Sequence, residues 1–339
     1  MLLELAGFGN ALMDALVVVQ DERWLKEMEI KRGVAHMVDH PTWEKAYQNV
    51  RHLKVAFESG GSCANTIATA ALLGANTVFC GQVGNDQMGQ LYASKMTQYC
   101  GTHQLQFSDA IATGKCLSVI GSEDAERTMI THLGAAVGIE TLAHFAQPLG
   151  ACKIGHYEGY MLLGPDTRAL SIEAMKRTKA GGGLVSLDVS DPFVVTQIKD
   201  VIWSLLDQYV DIVFLNADEA TALTGATPEA AIQLINQRAK TSTIIVKLGS
   251  RGSLVLDNGH LHTINVEPVQ AIDTTGAGDA YAGGYLYGKV KGWDVASCGT
   301  LASKVAALTV AQIGAVARQQ TALHQAKELC NDGHQAARL

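Results

Sequence analysis

What most constrains this chain is a rhythm. Short, continuously apolar, β-rich runs alternate with segments of helical period along most of its length. The runs are LLELAGFG (2–9), TVFCGQVG (77–84), KCLSVIG (115–121), KIGHYEGYM (153–161), GLVSLDV (183–189), VDIVFLN (210–216), TIIVKLG (243–249) and SLVLD (253–257). Helical period occupies 63–73, 87–99, 166–179, 194–208, 228–240, 278–290 and 295–310. A strand apolar on both faces needs cover on both, so the pattern predicts an α/β fold: a mostly parallel central sheet with helices on either side. In such sheets ligands sit beyond the carboxyl ends of the strands, and the loops there are the ones to search for chemistry.

Two stretches, 11–40 and 105–133, break the rhythm. ALVVVQD, GVAHMVD and CLSVIGSEDAERTMIT read as hairpin material, with SEDAE as a charged turn, and a helix fits around 41–50. Together they predict a small second sheet inserted in a single domain spanning 1–339. It would serve as a lid over a cleft or as a dimer interface, so a monomer and a lid-mediated homodimer both stay open. Apolar residues make up 47% of the chain and charged residues 17%, enough for a large core, and no low-complexity tract interrupts it. A net charge of −7 with no basic block argues against nucleic acid or an acidic membrane as partner. Seven cysteines without a CxxC pair read as reduced thiols of a cytoplasmic protein. The start lacks the basic region of a signal peptide, and no run reaches the roughly 18 apolar residues of a membrane span.

The stretch DTTGAGDAYAGG (273–284) follows an extended segment and opens an apolar helix. Gly276, Ala277, Gly278 and Asp279 should occupy its first turn, where backbone N–H groups lack internal partners and the helix dipole favours an anion. Small side chains let that anion approach. Asp279 in the same turn is then a proton acceptor beside an anion cradle, the pairing that phosphoryl transfer to an alcohol needs. A helix-capping role for Asp279 is the simpler reading of an isolated GxGD. A second stretch, SGGSCANTIATAALLGANTVFCGQVGNDQMG (59–89), places Gly60 and Gly61 where backbone can approach a ligand and Ser62 where it can cap the helix beginning near Cys63. Asn65, in the first turn, offers a donor and an acceptor to a polyol. Gly84 and Asp86 read as a structural turn with an Asx-type hydrogen bond.

Both stretches resemble motifs of the PfkB (ribokinase/adenosine kinase-like) family of carbohydrate and nucleoside kinases, and the likeness runs from Asp14 to about Val310. The resemblance implies a ribokinase-like fold, ATP as phosphoryl donor and Mg²⁺. It implies that Asp279 is the base, that the small residues before it form the anion hole, and that Gly61 and Asn65 hold sugar hydroxyls. Asp14, in GFGNALMD, would accept ribose-type hydroxyls, a carboxylate taking two vicinal O–H donors at once. Asn216 and Glu219 form an N-x-x-E pair that serves equally as a capping box and, in the family, in the Mg²⁺–phosphate network, with Glu219 acting through water. Gly249 and Gly252, in VKLGSRGSLV, would lie against the nucleotide, although a hairpin alone accounts for them. Ser303 would face the adenine. Asp273 and Thr275 match positions that organise a monovalent-cation site, such as one for K⁺, in some relatives.

Arg127 in the candidate lid either reaches the transferred phosphoryl group or is a solvated hairpin residue beside Glu126. His132 and His156 lack partners at metal or triad spacing and read as structural. There is no GxxxxGK[ST], no protein-kinase HRD or DFG set, no GxSxG, and no GxGxxG at the first helix. FESGGSCANT, ERTMITHLGAA, HYEGYML, LDVSDPF and DIVFLNADEA favour the adenosine kinase-like branch. The expected acceptor is a small-molecule nucleoside, with a free sugar such as ribose or fructose as the alternative and a non-catalytic nucleotide or sugar sensor as the third reading. Tyr160 and Met161 follow Gly159 where an aromatic pair would stack on a base; Met can also pack against a ring.

Overall fold

The computed structural model of the chain describes residues 2–124 and 126–336. Fourteen strands lie among them: β1 (Leu5–Phe8), β2 (Leu12–Val19), β3 (Ala35–Met37), β4 (Ala56–Gly60), β5 (Thr77–Gly84), β6 (Gln104–Ser108), β7 (Gly114–Gly121), β8 (Arg127–His132), β9 (Ile154–Glu158), β10 (Leu184–Asp188), β11 (Ile212–Asn216), β12 (Thr243–Lys247), β13 (Ser253–Asp257) and β14 (His260–Ile264). Nine form one sheet in the order β14-β13-β12-β11-β10-β9-β1-β5-β6. It is parallel from β12 to β6 and ends in an antiparallel β13–β14 ribbon.

The continuous apolar runs are explained by cover on both faces. Along β11, Ile212 and Phe214 enter one buried cluster while Val213 and Leu215 enter another, as the two-residue period of a strand requires. The first cluster packs under the helices Ser62–Leu72, Gln87–Cys100, Ala277–Val290 and Val295–Val310; the second packs under Pro165–Ala180, Pro192–Gln208 and Pro228–Arg238. Among the described residues no helix is long and apolar enough to cross a membrane.

Gly283 and Gly284 set the position of the helix that carries Asp279. A Cβ at Gly283 would stand 2.7 Å from Thr66 O, and one at Gly284 would stand 2.8 Å from Ala302 Cα. The pair lets Ala277–Val290 press against Ser62–Leu72 on one side and Val295–Val310 on the other.

The second sheet runs β3-β8-β7-β2-β4 and packs one face on the helix His40–Gln48 through Ala15, Val17, Trp43, Leu117 and Ile130. Its make-up departs from the reading of 11–40 and 105–133. The segment Gln104–Ser108 pairs with β5 at the edge of the main sheet, and the unflagged Ala56–Gly60 supplies an edge strand of the small one. AFESG carries a charge and ends in glycine, so it has no apolar run to mark it. The run 153–161 also divides: β9 stops at Glu158, and a 3₁₀ turn, Gly159–Leu162, follows. Gly159 lies so close to Val189 O that a Cβ there would be 2.2 Å away, and its N–H turns aside to Ser190 Oγ at 2.9 Å.

Candidate active site

Four neighbouring parallel strands each end on a polar residue: Glu158 on β9, Asp188 on β10, Asn216 on β11 and Lys247 on β12. Of these side chains, Glu158 meets the N-terminus of the helix Ser62–Leu72 and Lys247 that of Ala277–Val290.

Asp279 is the centre. Gly276 adopts a left-handed conformation (φ 70°) as N-cap of the second helix, which puts Asp279 at its third position. Its side chain is held by neutral donors: Ser62 Oγ donates to Oδ1 at 2.7 Å and Asn65 Nδ2 to Oδ2 at 2.9 Å. Burial raises the proton affinity of the carboxyl, the hydrogen bonds from Asn65 and Ser62 oppose that, and nearby Asp188 adds to it. In the same turn the Ala277 N–H goes to Thr274 O at 3.3 Å and the Ala280 N–H to Gly276 O at 2.7 Å. Those of Gly278 and Asp279 have no acceptor among the described residues. Asn65 Oδ1 is likewise buried without a partner there.

Ser62 therefore does not cap its helix. Gly61 is the N-cap, at φ 97°, and Ser62 is the first helical residue, its hydroxyl spent on Asp279. A Cβ on Gly61 would lie 2.1 Å from Asn10 O, and one on Gly60 would lie 2.2 Å from Asp14 Oδ2, so the glycine pair makes room for the Asp14 carboxylate. Asp14 is partly buried and accepts no hydrogen bond among the described residues. Burial pushes its pKa up to about 7, against the attraction of Arg127 and with the repulsion of Asp279. Asp86 caps the helix Gln87–Cys100 and also takes the N–H and hydroxyl of Thr113, the structural role expected of it.

Glu158 was missed in the sequence. It is fully buried; Oε1 accepts from the Asn10 N–H (3.0 Å) and Nδ2 (2.6 Å), and Oε2 from the Cys63 N–H (2.8 Å). It thus ties the β1–β2 connection to the helix that carries Ser62 and Asn65. Burial lifts it to about 7 despite these three donors. The signal was available: a charged residue closing an apolar run in a parallel sheet points at the ligand side. Asp188 and Lys247 bear the same mark and pair at 2.7 Å.

Asn216 and Glu219 form a complete capping box: Asn216 Oδ1 accepts from the Glu219 N–H, and both Glu219 oxygens accept from Asn216. Burial raises Glu219 to about 7, with Lys247 opposing. In the β12–β13 turn, Gly252 is required because a Cβ would meet Ile264 O at 2.0 Å, while Gly249 is exposed with open space around it. Ser303 Oγ donates to Asn265 O at 3.3 Å.

Arg127 is neither solvated nor paired with Glu126, which binds Arg32 instead. It reaches from the small sheet to Asp273 at 3.7 Å. Asp273 Oδ1 already takes the Thr275 N–H and hydroxyl, and Oδ2 takes the Gly314 N–H. Arg318 and Lys95 both grip Glu58 on β4 at 2.8 Å. The Arg127 pair ties the small sheet to the loop that precedes Asp279, while the two Glu58 pairs tie it to the segment after Val295–Val310 and to the helix Gln87–Cys100. His132 meets Val38 O, and His156, beside Ser186, is driven down to about 4 by burial; both are structural. Met161 lies in the main core and leaves Tyr160 as the partly exposed side chain of its turn.

A family profile described as pfkB family carbohydrate kinase matches residues 36–322. The adenosine kinase of Saccharomyces cerevisiae is 27% identical over 328 residues, covering 90% of this chain and 94% of its own. The fructokinase of Vibrio alginolyticus is 28% identical over 238 residues, 67% of this chain and 75% of its own. The crystal structure of adenosine kinase from Sinorhizobium meliloti superposes with a TM-score of 0.88 at 28% identity, covering 97% of this chain and 99% of that one.

Proposed function

We propose that this chain, which belongs to the pfkB family of carbohydrate kinases and is a phosphotransferase with an alcohol acceptor, transfers the γ-phosphoryl group of ATP to the primary 5′-hydroxyl of an adenosine-like nucleoside. The observation that carries the reading is Asp279: a partly buried carboxylate held by two neutral donors in a helix turn whose Gly278 and Asp279 amides are unspent.

Asp14, the Gly61 backbone and Asn65 orient the acceptor, Asp14 by taking two vicinal hydroxyls and Asn65 through its unpartnered Oδ1. Asp279 takes the proton of the attacking hydroxyl. The electron pair of that oxygen forms the new bond to phosphorus, and the pair of the broken P–O bond leaves with ADP. The amides of the first turn meet the charge on the moving group. Arg127 and Arg318, by fastening the small sheet, help keep water from the site.

Hard carboxylate oxygens suit Mg²⁺, which keeps most of its waters and binds chiefly through phosphates. Glu219 fits such a role through water, since each of its oxygens already accepts from Asn216. The ion would supply charge neutralisation on the phosphates. The surroundings of Asp273 and Thr275, made of N–H and O–H donors with a guanidinium alongside, do not fit a monovalent cation.

A free sugar is the second reading, favoured by Met rather than an aromatic residue at position 161, which leaves Tyr160 as the one aromatic side chain there for a base. ADP release measured with adenosine, other nucleosides, ribose and fructose separates the cases. The highest kcat/KM with adenosine is expected. Release with free sugars alone selects the second reading, and release with none overturns the kinase reading.

A further inference from the structure

Lys247 lies outside every role assigned so far. It ends β12 with its side chain 14% exposed, and Nζ donates to Asp188 Oδ2 at 2.7 Å. Asp188 is its sole acceptor among the described residues, so a largely buried ammonium keeps two N–H donors unspent. Its position is specific: a Cβ added to Gly278 would stand 3.0 Å from Nζ, which places the ammonium against the first turn of the helix that begins at Ala277. Glu219 and Asp279 are its other charged neighbours, alongside Asp188. A strand end here needs no ion pair for stability, because burying two charges costs more than apolar packing of the same volume. An ammonium with donors to spare, beside two unspent amides, suits an anion that arrives and leaves.

Resting on the kinase reading above, we propose that Lys247 is a further catalytic residue: its ammonium hydrogen-bonds the phosphoryl group being transferred, while Asp188 holds it in place. The ammonium stays protonated throughout. The acceptor proton still goes to Asp279, and the electron pair of the broken P–O bond still leaves with ADP. Gly278 is glycine because a side chain there would occupy the space between the ammonium and the turn.

The test compares Lys247→Met, Lys247→Arg and the double variant Lys247→Met/Asp188→Asn, which removes both charges should the single change leave Asp188 unpaired and the fold weakened. Melting, ATP and ADP affinities without acceptor, and steady-state ADP release are measured for each. Expected are a roughly 100-fold or greater loss of kcat in Lys247→Met and in the double variant, with acceptor KM unchanged and partial recovery in Lys247→Arg. Affinity for ATP should fall about tenfold while that for ADP holds. A folded Lys247→Met or double variant with kcat within threefold of wild type overturns the proposal, and so does an equal loss of ATP and ADP affinity. Failure of the kinase reading is distinct: wild type itself would then release no ADP with any acceptor.

Discussion

Replacing Glu158 with Gln tests how the site is braced. The carboxylate accepts three hydrogen bonds, two on Oε1 from Asn10 and one on Oε2 from the Cys63 N–H. A glutamine can keep its oxygen towards Asn10, but its NH₂ then faces the Cys63 N–H, and that amide is left unpaired at about 1–3 kcal/mol. Against this, the variant no longer buries a charge. Glu158 titrates near 7 in the fold against 4.5 without it, so the native state binds the extra proton between those values and wild-type stability falls as pH rises through that window. At about 1.4 kcal/mol per pH unit, wild type loses about 2 kcal/mol from this group between pH 5.5 and 8, and Glu158→Gln loses none. Relative to wild type, the variant should therefore melt about 3 °C higher at pH 8 than at pH 5.5 on the entropy expected of a chain this size. Thermal melting of both proteins at the two pH values reads it directly. A variant whose melting difference from wild type is the same at both pH values would refute the reasoning. At pH 8 its kcat should also fall, because the Cys63 amide lies in the first turn of the helix whose Ser62 and Asn65 hydrogen-bond Asp279.

Asp14, lifted to about 7, gives wild type an acid limb in kcat/KM near that pH, since the protonated group loses acceptor capacity as pH drops. Asp14→Asn should remove the Asp14 ionisation from that limb, leaving the one due to Asp279, and raise the acceptor KM about 10- to 100-fold, the cost of a charged hydrogen bond, in a pH series of initial rates. Gly276→Ala forces a side chain into a left-handed position with its Cβ 2.5 Å from Ala315 Cβ, so both melting temperature and turnover should drop. Asn216→Ala removes a capping box and should lower stability by about 1–2 kcal/mol, roughly 1.5–3 °C in a melt.

Seven of the nine strands of the main sheet and seven of its flanking helices are legible because their signals are local and redundant: apolar runs covered on both faces and helical period. The small sheet was harder to delimit. Ala35–Met37 and Ala56–Gly60 are three and five residues long, half-polar, and defined by pairing across long stretches of chain rather than by pattern. At the site, the glycines, Asp279 and Asn65 could be read because helix-terminus chemistry is local. The hydrogen bonds from Ser62 and Asn65 to Asp279 span more than 200 residues and follow from the Gly283 and Gly284 contacts, which no local pattern reports. Glu158, Asp188 and Lys247 are hidden in the sequence because each lies inside a run that reads as one continuous strand, whereas the strands stop at these residues and leave their side chains on the floor of the site.

The most direct measurement is the turnover of Asp279→Asn. The amide is isosteric, can still accept from Asn65, and cannot take a proton. Melting temperature and ATP affinity should stay near wild type, while ADP release with the best acceptor should slow by about 10²- to 10⁴-fold, the usual worth of a positioned base. Turnover within a few-fold of wild type in that variant would contradict a mechanism in which this carboxylate deprotonates the acceptor.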